Sequence, residues 1–222
     1  MTASRGPASK WGSRPSACDL ISAVPSRSPS DSADAVTTLR TATRDHHQRV
    51  DSLMDLARMQ EPGHYARVLQ VLDAFLAGWE PAVLAALPAR RHAWLRARSR
   101  RAFLRQDLQA LGVAPLPAVH FAPLRDAAAA WGSLYVIEGS TLGGQFILRT
   151  LARAGLDPQH GAAYFHGWGE ATGAMWREVR ELLAAELQAP VALAHACEAA
   201  RQTFDSLALL LESLPHERAS AA

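Results

Sequence analysis

The run LRTATRDHHQRVD, residues 39–51, gathers fixed positive charge and a ligating side chain on one helical face. At about 100° per residue, Arg40, Arg44, His47 and Asp51 fall within roughly 60° of one another. Two guanidiniums then flank an imidazole, beside an apolar seam of Leu39, Val50 and Leu53. That stripe suits a ligand that is anionic at its edge and coordinates at its centre. Haem has this chemistry, with propionates for the arginines and iron for the imidazole. The stripe equally reads as a solvated face on which Arg44 pairs with Asp51 or Asp45, and spacing alone leaves both open. The choice of histidine is open too. Spacing of three and four through Val36, Leu39, Thr43, Val50 and Leu53 puts His46, not His47, in the middle of the seam.

A second run, WGSLYVIEGSTLGGQFILRTLARAG at residues 131–155, is apolar and helical on both sides yet carries Gly139, Gly143 and Gly144 inside it. Each interior glycine costs about 1 kcal/mol against alanine, so something must compensate. Gly139 and Gly143 share a face with Tyr135. Either another helix packs closely there or a flat ligand presses against bare backbone, over which the glycines let the helix bend. Ser140 and Thr141 add hydroxyls able to order water. A third, softer cluster is GAMWREVREL, residues 173–182, with TFDSLALLLESL, residues 203–214. Arg177 and Arg180 offer further anion partners, and Trp176 and Phe204 could wall a pocket; a surface arginine pair with ordinary core aromatics is the simpler reading of the same residues.

Other chemistry is poorly supported. His92, His120, His160, His166, His195 and His216 lack the spacing of a carboxylate-bridged di-iron bundle. Cys197 sits among alanines as a small core residue would. No nucleophile elbow, phosphate loop or dinucleotide fingerprint occurs.

The elements that must position these residues read as helices. Periodic segments span 35–58, 64–86 with Pro81 as a kink or boundary, 90–111 stopping at Gly112, 123–154, 170–188 and 190–214. The expected fold is therefore an all-α, single-domain bundle over 35–215. Residues 1–34, rich in Ser, Pro and Arg, read as a disordered leader or a mis-called start, with an organelle transit peptide as a weaker reading. Residues 216–222 read as a disordered tail. No run of eighteen apolar residues occurs, which argues against a membrane span on length alone. The net charge of +2 gives no reason to expect nucleic acid. Lys10 is the sole lysine, so any anion site must use guanidinium forks. Two cysteines, Cys18 and Cys197, fit a reducing cytoplasm.

Taken together, LRTATRDHHQRVD and YVIEGSTLGGQ resemble the first-helix and distal-helix motifs of the haem oxygenase family, closest to the bacterial, phytochrome-associated, biliverdin-producing branch. LRQDLQALG, residues 104–112, MWREV and TFDSLALLLESL extend the resemblance across residues 36–214. It implies a haem-oxygenase-like helical bundle with a glycine-kinked distal helix. In that register His47 is the axial iron ligand, and Arg40, Arg44 and Arg177 face the propionates. Gly139 and Gly143 touch haem, with Tyr135 beside them, and Gly139, Ser140 and Gly143 form the catalytic face. Haem is both cofactor and substrate, cleaved to biliverdin with release of iron and carbon monoxide. Oxygen and electrons from an outside donor (ferredoxin, flavodoxin or reductase) are required, and a bacterial phytochrome is an implied acceptor of the product. One departure stands out. Many members place an aspartate after the first distal glycine, where this chain has Ser140, so proton delivery must use water held by Ser140, Thr141 and backbone, or another acid such as Glu138. A non-catalytic haem carrier or sensor on the same fold is the rival reading. A thiaminase-like use of the architecture would need a nucleophilic cysteine, for which only Cys197 is available.

Overall fold

Thr43 divides the first expected helix in two. In the computed structural model, which describes residues 29–213 and side chains from Ala35 on except that of Gln145, α1 is Pro29–Ala42 and α2 is Arg44–Met54. Thr43 leaves helical geometry at φ −115°, and its hydroxyl donates back to the Leu39 carbonyl at 2.8 Å, a bond that bends helices. α1 begins six residues before the expected Ala35, at Pro29, whose fixed φ suits a first helical position. The expected leader before Pro29 and the tail 216–222 lie outside the described residues.

α3, Pro62–Ala86, runs straight through Pro81 without a break. It corrects the argument against a membrane span: α3 is long and apolar enough to cross a membrane, and length alone does not exclude it. Burial gives it another role, since 61% of its most apolar window lies inside the protein and Asp73 is fully buried there. The third expected helix is broken into α4, His92–Arg96, and α5, Arg101–Ala110. Arg98 and Arg100 lie in the break and are both buried. Residues two apart point to different sides of a helix, so turning both guanidiniums inward requires interrupting it. α5 ends before Gly112, whose φ of +66° no helix continues.

α6 is Ala127–Gly139, followed by a tight 3₁₀ turn at Ser140–Leu142 and by α7, Gly144–Ala152. The short α8, Ala163–His166, was not expected from sequence; its first N–H groups bond the buried Asp107 carboxylate at 2.7 and 2.8 Å. α9, Thr172–Glu186, and α10, Pro190–Glu212, complete the bundle. Among the described residues only isolated bridges at Asp157 stand in for strand pairing, so the fold is all-α.

The centre is α6 against α10. Gly132 makes it possible, because a Cβ there would collide with the Ala196 carbonyl. A hydroxyl chain runs through this contact. The Trp79 indole N–H donates to Ser133 Oγ at 2.7 Å, Ser133 meets Thr203 Oγ1 at 2.6 Å, and Thr203 donates to the Ala199 carbonyl. Each polar side-chain atom of this chain of hydroxyls is thereby satisfied. α1 packs on α9 and α10, and α9 also packs on α6, so the first two helices, the distal helix and α9 meet in one region.

Candidate functional site

Thr43 and Tyr135 bring the two glycine- and histidine-bearing motifs together. The Thr43 hydroxyl and the Arg40 charge both act on the Tyr135 phenol. Burial pushes the Tyr135 phenol up, while Thr43 and Arg40 pull it down. One helical turn beyond Thr43 stands His47, whose N–H bonds the Thr43 carbonyl, and one turn beyond Tyr135 stands Gly139.

His47 is 56% exposed, with its ring edge-on to Phe204 at 5.5 Å between centroids. Its Nδ1 lies 2.9 Å from Asp51 Oδ2. The bond to Asp51 raises the imidazole above its ordinary pKa, and the Asp51 charge adds to this against the opposing effect of burial. A carboxylate on Nδ1 fixes the tautomer and ring orientation and leaves Nε2 as the nitrogen able to coordinate a metal. His46 is placed differently. It is 28% exposed, and its Nδ1 is tied to Asp205 of α10 at 2.8 Å. As the spacing implied, His46 lies nearer the buried seam of Leu39, Thr43 and Val50 than the more exposed His47.

Arg40, Arg44 and Arg177 are exposed and form no ion pair among the described residues. The pairing of Arg44 with Asp51 or Asp45 is not found; Asp51 is engaged by His47. Arg180 is likewise exposed without an ion pair among the described residues.

The distal kink leaves carbonyls without helical partners, and neighbouring side chains take them up. Ser140 Oγ donates to the Ile137 carbonyl at 2.8 Å, and Thr141 Oγ1 donates to that of Glu138 at 2.6 Å. Both hydroxyl hydrogens are thus turned back onto the helix, and what Ser140 and Thr141 offer a water is acceptor capacity. Arg100, which sequence reasoning did not single out, is 4% exposed and donates to both the Ile137 carbonyl at 2.7 Å and Ser140 Oγ at 3.1 Å. Its guanidinium lies 4.7 Å over the Tyr164 ring. The signal available in sequence was an arginine-rich break, RARSRR, too irregular for a helical face. Glu138, considered above as an alternative acid, is clamped by Arg98 through bonds of 2.6 and 3.2 Å. The two bonds tie the break before α5 to the distal helix, so Glu138 serves there as a strut.

The glycine faces differ. A Cβ at Gly139 would touch only the Trp176 indole, at 3.5 Å, and one at Gly143 would meet nothing within 4 Å except the Ser140 carbonyl. Glu61 and His64 do carry the Glu-x-x-His spacing, but Glu61 is bound to Arg58 and His64 to the Met54 carbonyl. Among the described residues no cluster of His, Cys, Asp or Glu could hold a metal ion by itself. The arrangement instead fits a planar iron chelate: one oriented imidazole with a spare nitrogen, exposed unpaired guanidiniums, and bare backbone on the facing helix.

A helical bundle that sets an oriented histidine beside a glycine-kinked helix is suited to holding haem. The Heme oxygenase family model matches residues 33–213, and the chain belongs to that family. It is 36% identical over 140 residues to a heme oxygenase of Xanthomonas campestris pv. campestris (strain 8004), covering 63% of this chain and 84% of the relative. Among solved structures it is similar to the NO- and CO-bound heme oxygenase from Neisseria meningitidis. That likeness has a TM-score of 0.68 and 26% identity, over 80% of this chain and 90% of the other.

Proposed function

We propose that the chain cleaves haem to biliverdin, iron and carbon monoxide, drawing electrons from an external donor such as a ferredoxin, flavodoxin or reductase. The observation that carries this reading is His47, oriented by Asp51 with Nε2 left to coordinate, on a helix whose Thr43 lies beside Tyr135 of the kinked helix bearing Gly139 and Gly143. Bound haem supplies the iron at which oxygen is reduced and the porphyrin that is opened.

The protein's share is position, polarity and protons. His47 holds the iron as a neutral imidazole. Arg40, Arg44 and Arg177, with the Tyr135 phenol, bind the propionates and fix rotation within the plane. Gly139 and Gly143 let the distal backbone approach where side chains would intrude. Ser140 holds water as an acceptor, and Arg100 keeps that hydroxyl in place. A bacterial phytochrome is a fitting acceptor for the biliverdin, and the cysteine usage supports a cytoplasmic setting. The test is to add haemin to the purified protein, then a reducing system in air. The Soret band should decay as the long-wavelength biliverdin absorption and free ferrous iron appear. A stable Soret band through repeated reduction would favour the carrier or sensor reading, which the Ser140 side chain, lacking a fixed charge, supports.

A further inference from the structure

We propose that Trp176 is the gate of the haem site: its indole covers the bare face of Gly139 and must leave before haem can seat there. This inference rests on the haem reading above. The observation is specific. The only atoms near an ideal Cβ at Gly139 are Trp176 Cη2 and Cζ3, at 3.5 and 3.7 Å. The same indole lies 6.1 Å from the Tyr135 ring, tilted by 49°, so it spans one turn of the distal helix along the face the glycines leave bare. A flat aromatic surface lying on glycine backbone makes the contact a porphyrin would make there, and the two cannot share it. Trp176 is half-buried, and no hydrogen bond among the described residues holds it, so van der Waals contact is what keeps it in place. Its neighbour Arg177, exposed and without an ion pair among the described residues, sits on the same turn of α9. A propionate drawn to Arg177 therefore arrives beside the side chain that has to move.

A gate of this kind taxes entry by the fraction of time it stands open. If the indole covers the face nine-tenths of the time, removing it raises the apparent association rate about tenfold. The test is stopped-flow binding of monomeric haemin to the full chain, followed by Soret absorbance over a range of haemin concentrations, for the wild type, Trp176→Ala and Trp176→Phe. With the wild type, the observed rate should level off as the indole's departure becomes limiting. Trp176→Ala should stay linear through that range and be faster, with Trp176→Phe in between. Melting temperatures of the three haem-free proteins are measured alongside. Identical concentration dependence in wild type and Trp176→Ala would overturn the gate, as would slower binding by Trp176→Ala together with a large loss of melting temperature, the mark of a core residue. If Trp176→Ala does not fold, the comparison with Trp176→Phe decides by the same criterion. A wild type that binds no haemin at all sinks the haem reading itself, a result distinct from a failed gate.

Discussion

At the scale of single residues, both adjacent histidines carry a carboxylate on Nδ1, and they differ in where that carboxylate sits. Asp205 ties His46 to α10 and leaves it 28% exposed, whereas the Asp51 partner of His47 lies on its own helix and leaves that ring 56% exposed. His47→Ala should therefore lose the histidine–iron stretch in resonance Raman and bind haem weakly. His46→Ala should keep that stretch, at a modest cost in stability. The reverse outcome would move the ligand to His46. Arg40→Ala, Arg44→Ala and Arg177→Ala should each weaken haemin affinity by roughly 1–3 kcal/mol where the propionate is partly desolvated. Contacts that stay in water contribute less than about 1 kcal/mol. The ratio of biliverdin isomers should shift as well, because in-plane rotation depends on the same contacts; three variants with wild-type affinity and isomer ratio would return these arginines to an ordinary solvated face. The sequence offered His47, Arg40 and Arg44 as a stripe because helical spacing is arithmetic. It could not choose between the histidines, since Asp205 lies 159 residues from His46 and only the fold brings them together. Arg100 was illegible for the same reason: its partners Ile137 and Ser140 are nearly forty residues away.

At the scale of elements, the sequence pattern located the helices other than α8 but not their interruptions. Thr43 and Ser140 turn their hydroxyls back onto their own helices and Arg98 reaches a distant one at Glu138, and periodicity reports neither kind of bond. The distal kink was legible only because glycines mark it. Gly143→Leu should leave the haem-free melting temperature close to wild type, since a Cβ there meets open space and φ is −71°. Leucine is intrinsically better in a helix by nearly 1 kcal/mol. Haem binding and turnover should nevertheless collapse, and a normal rate in a destabilised protein would mean the glycine serves helix packing. The other end of α6 is held by Asp126, which accepts from the Ala129 N–H at 2.8 Å and contacts His195 Nδ1 at 2.6 Å. Burial acts to raise that carboxyl, but the Ala129 and His195 bonds outweigh it and leave it below the usual carboxylate range. Asp126→Ala should cost about 1 kcal/mol, and Asp126→Asn less, because asparagine still caps. A depressed carboxyl stabilises the fold above its unfolded pKa, near 3.9, and loses that contribution as pH falls through the folded value. The melting-temperature gap between wild type and Asp126→Ala should thus hold at pH 5 and narrow below about pH 4. A gap that widens on acidification would contradict this origin.

At the scale of the whole molecule, the site is assembled from the two ends of the described chain. α1 and α2 supply Arg40, Thr43 and His47, while α9 and α10 supply Trp176, Arg177 and Phe204, and α6 lies between them in sequence. α1 is held there by burying Ala35 and Leu39 against α9 and α10, so its length bears on the site as well as on the fold. The sequence pattern placed the start of order at Ala35, because residues before it lack apolar periodicity; helix-start chemistry at Pro29 extends α1 by nearly two turns beyond the apolar face. The two boundaries predict different truncations. A chain beginning at Pro29 keeps α1 entire. It should match the full chain in melting temperature and haemin affinity. A chain beginning at Ala35 keeps only Ala35–Ala42 of α1, well under the ~12–15 residues at which an isolated helix is even marginal. That remnant must then be held by tertiary contact alone. Fraying there reaches Arg40 and Thr43 first, so haemin affinity should fall several-fold. A loss of about 1 kcal/mol would lower the melting temperature of a domain of this size by roughly 2–4 °C. Circular dichroism melts and haemin titrations of the two truncations check both effects. If the chain beginning at Ala35 matches the full chain in both, the turns contributed by residues 29–34 do not support the site, and α1 is anchored wholly by Ala35 and Leu39.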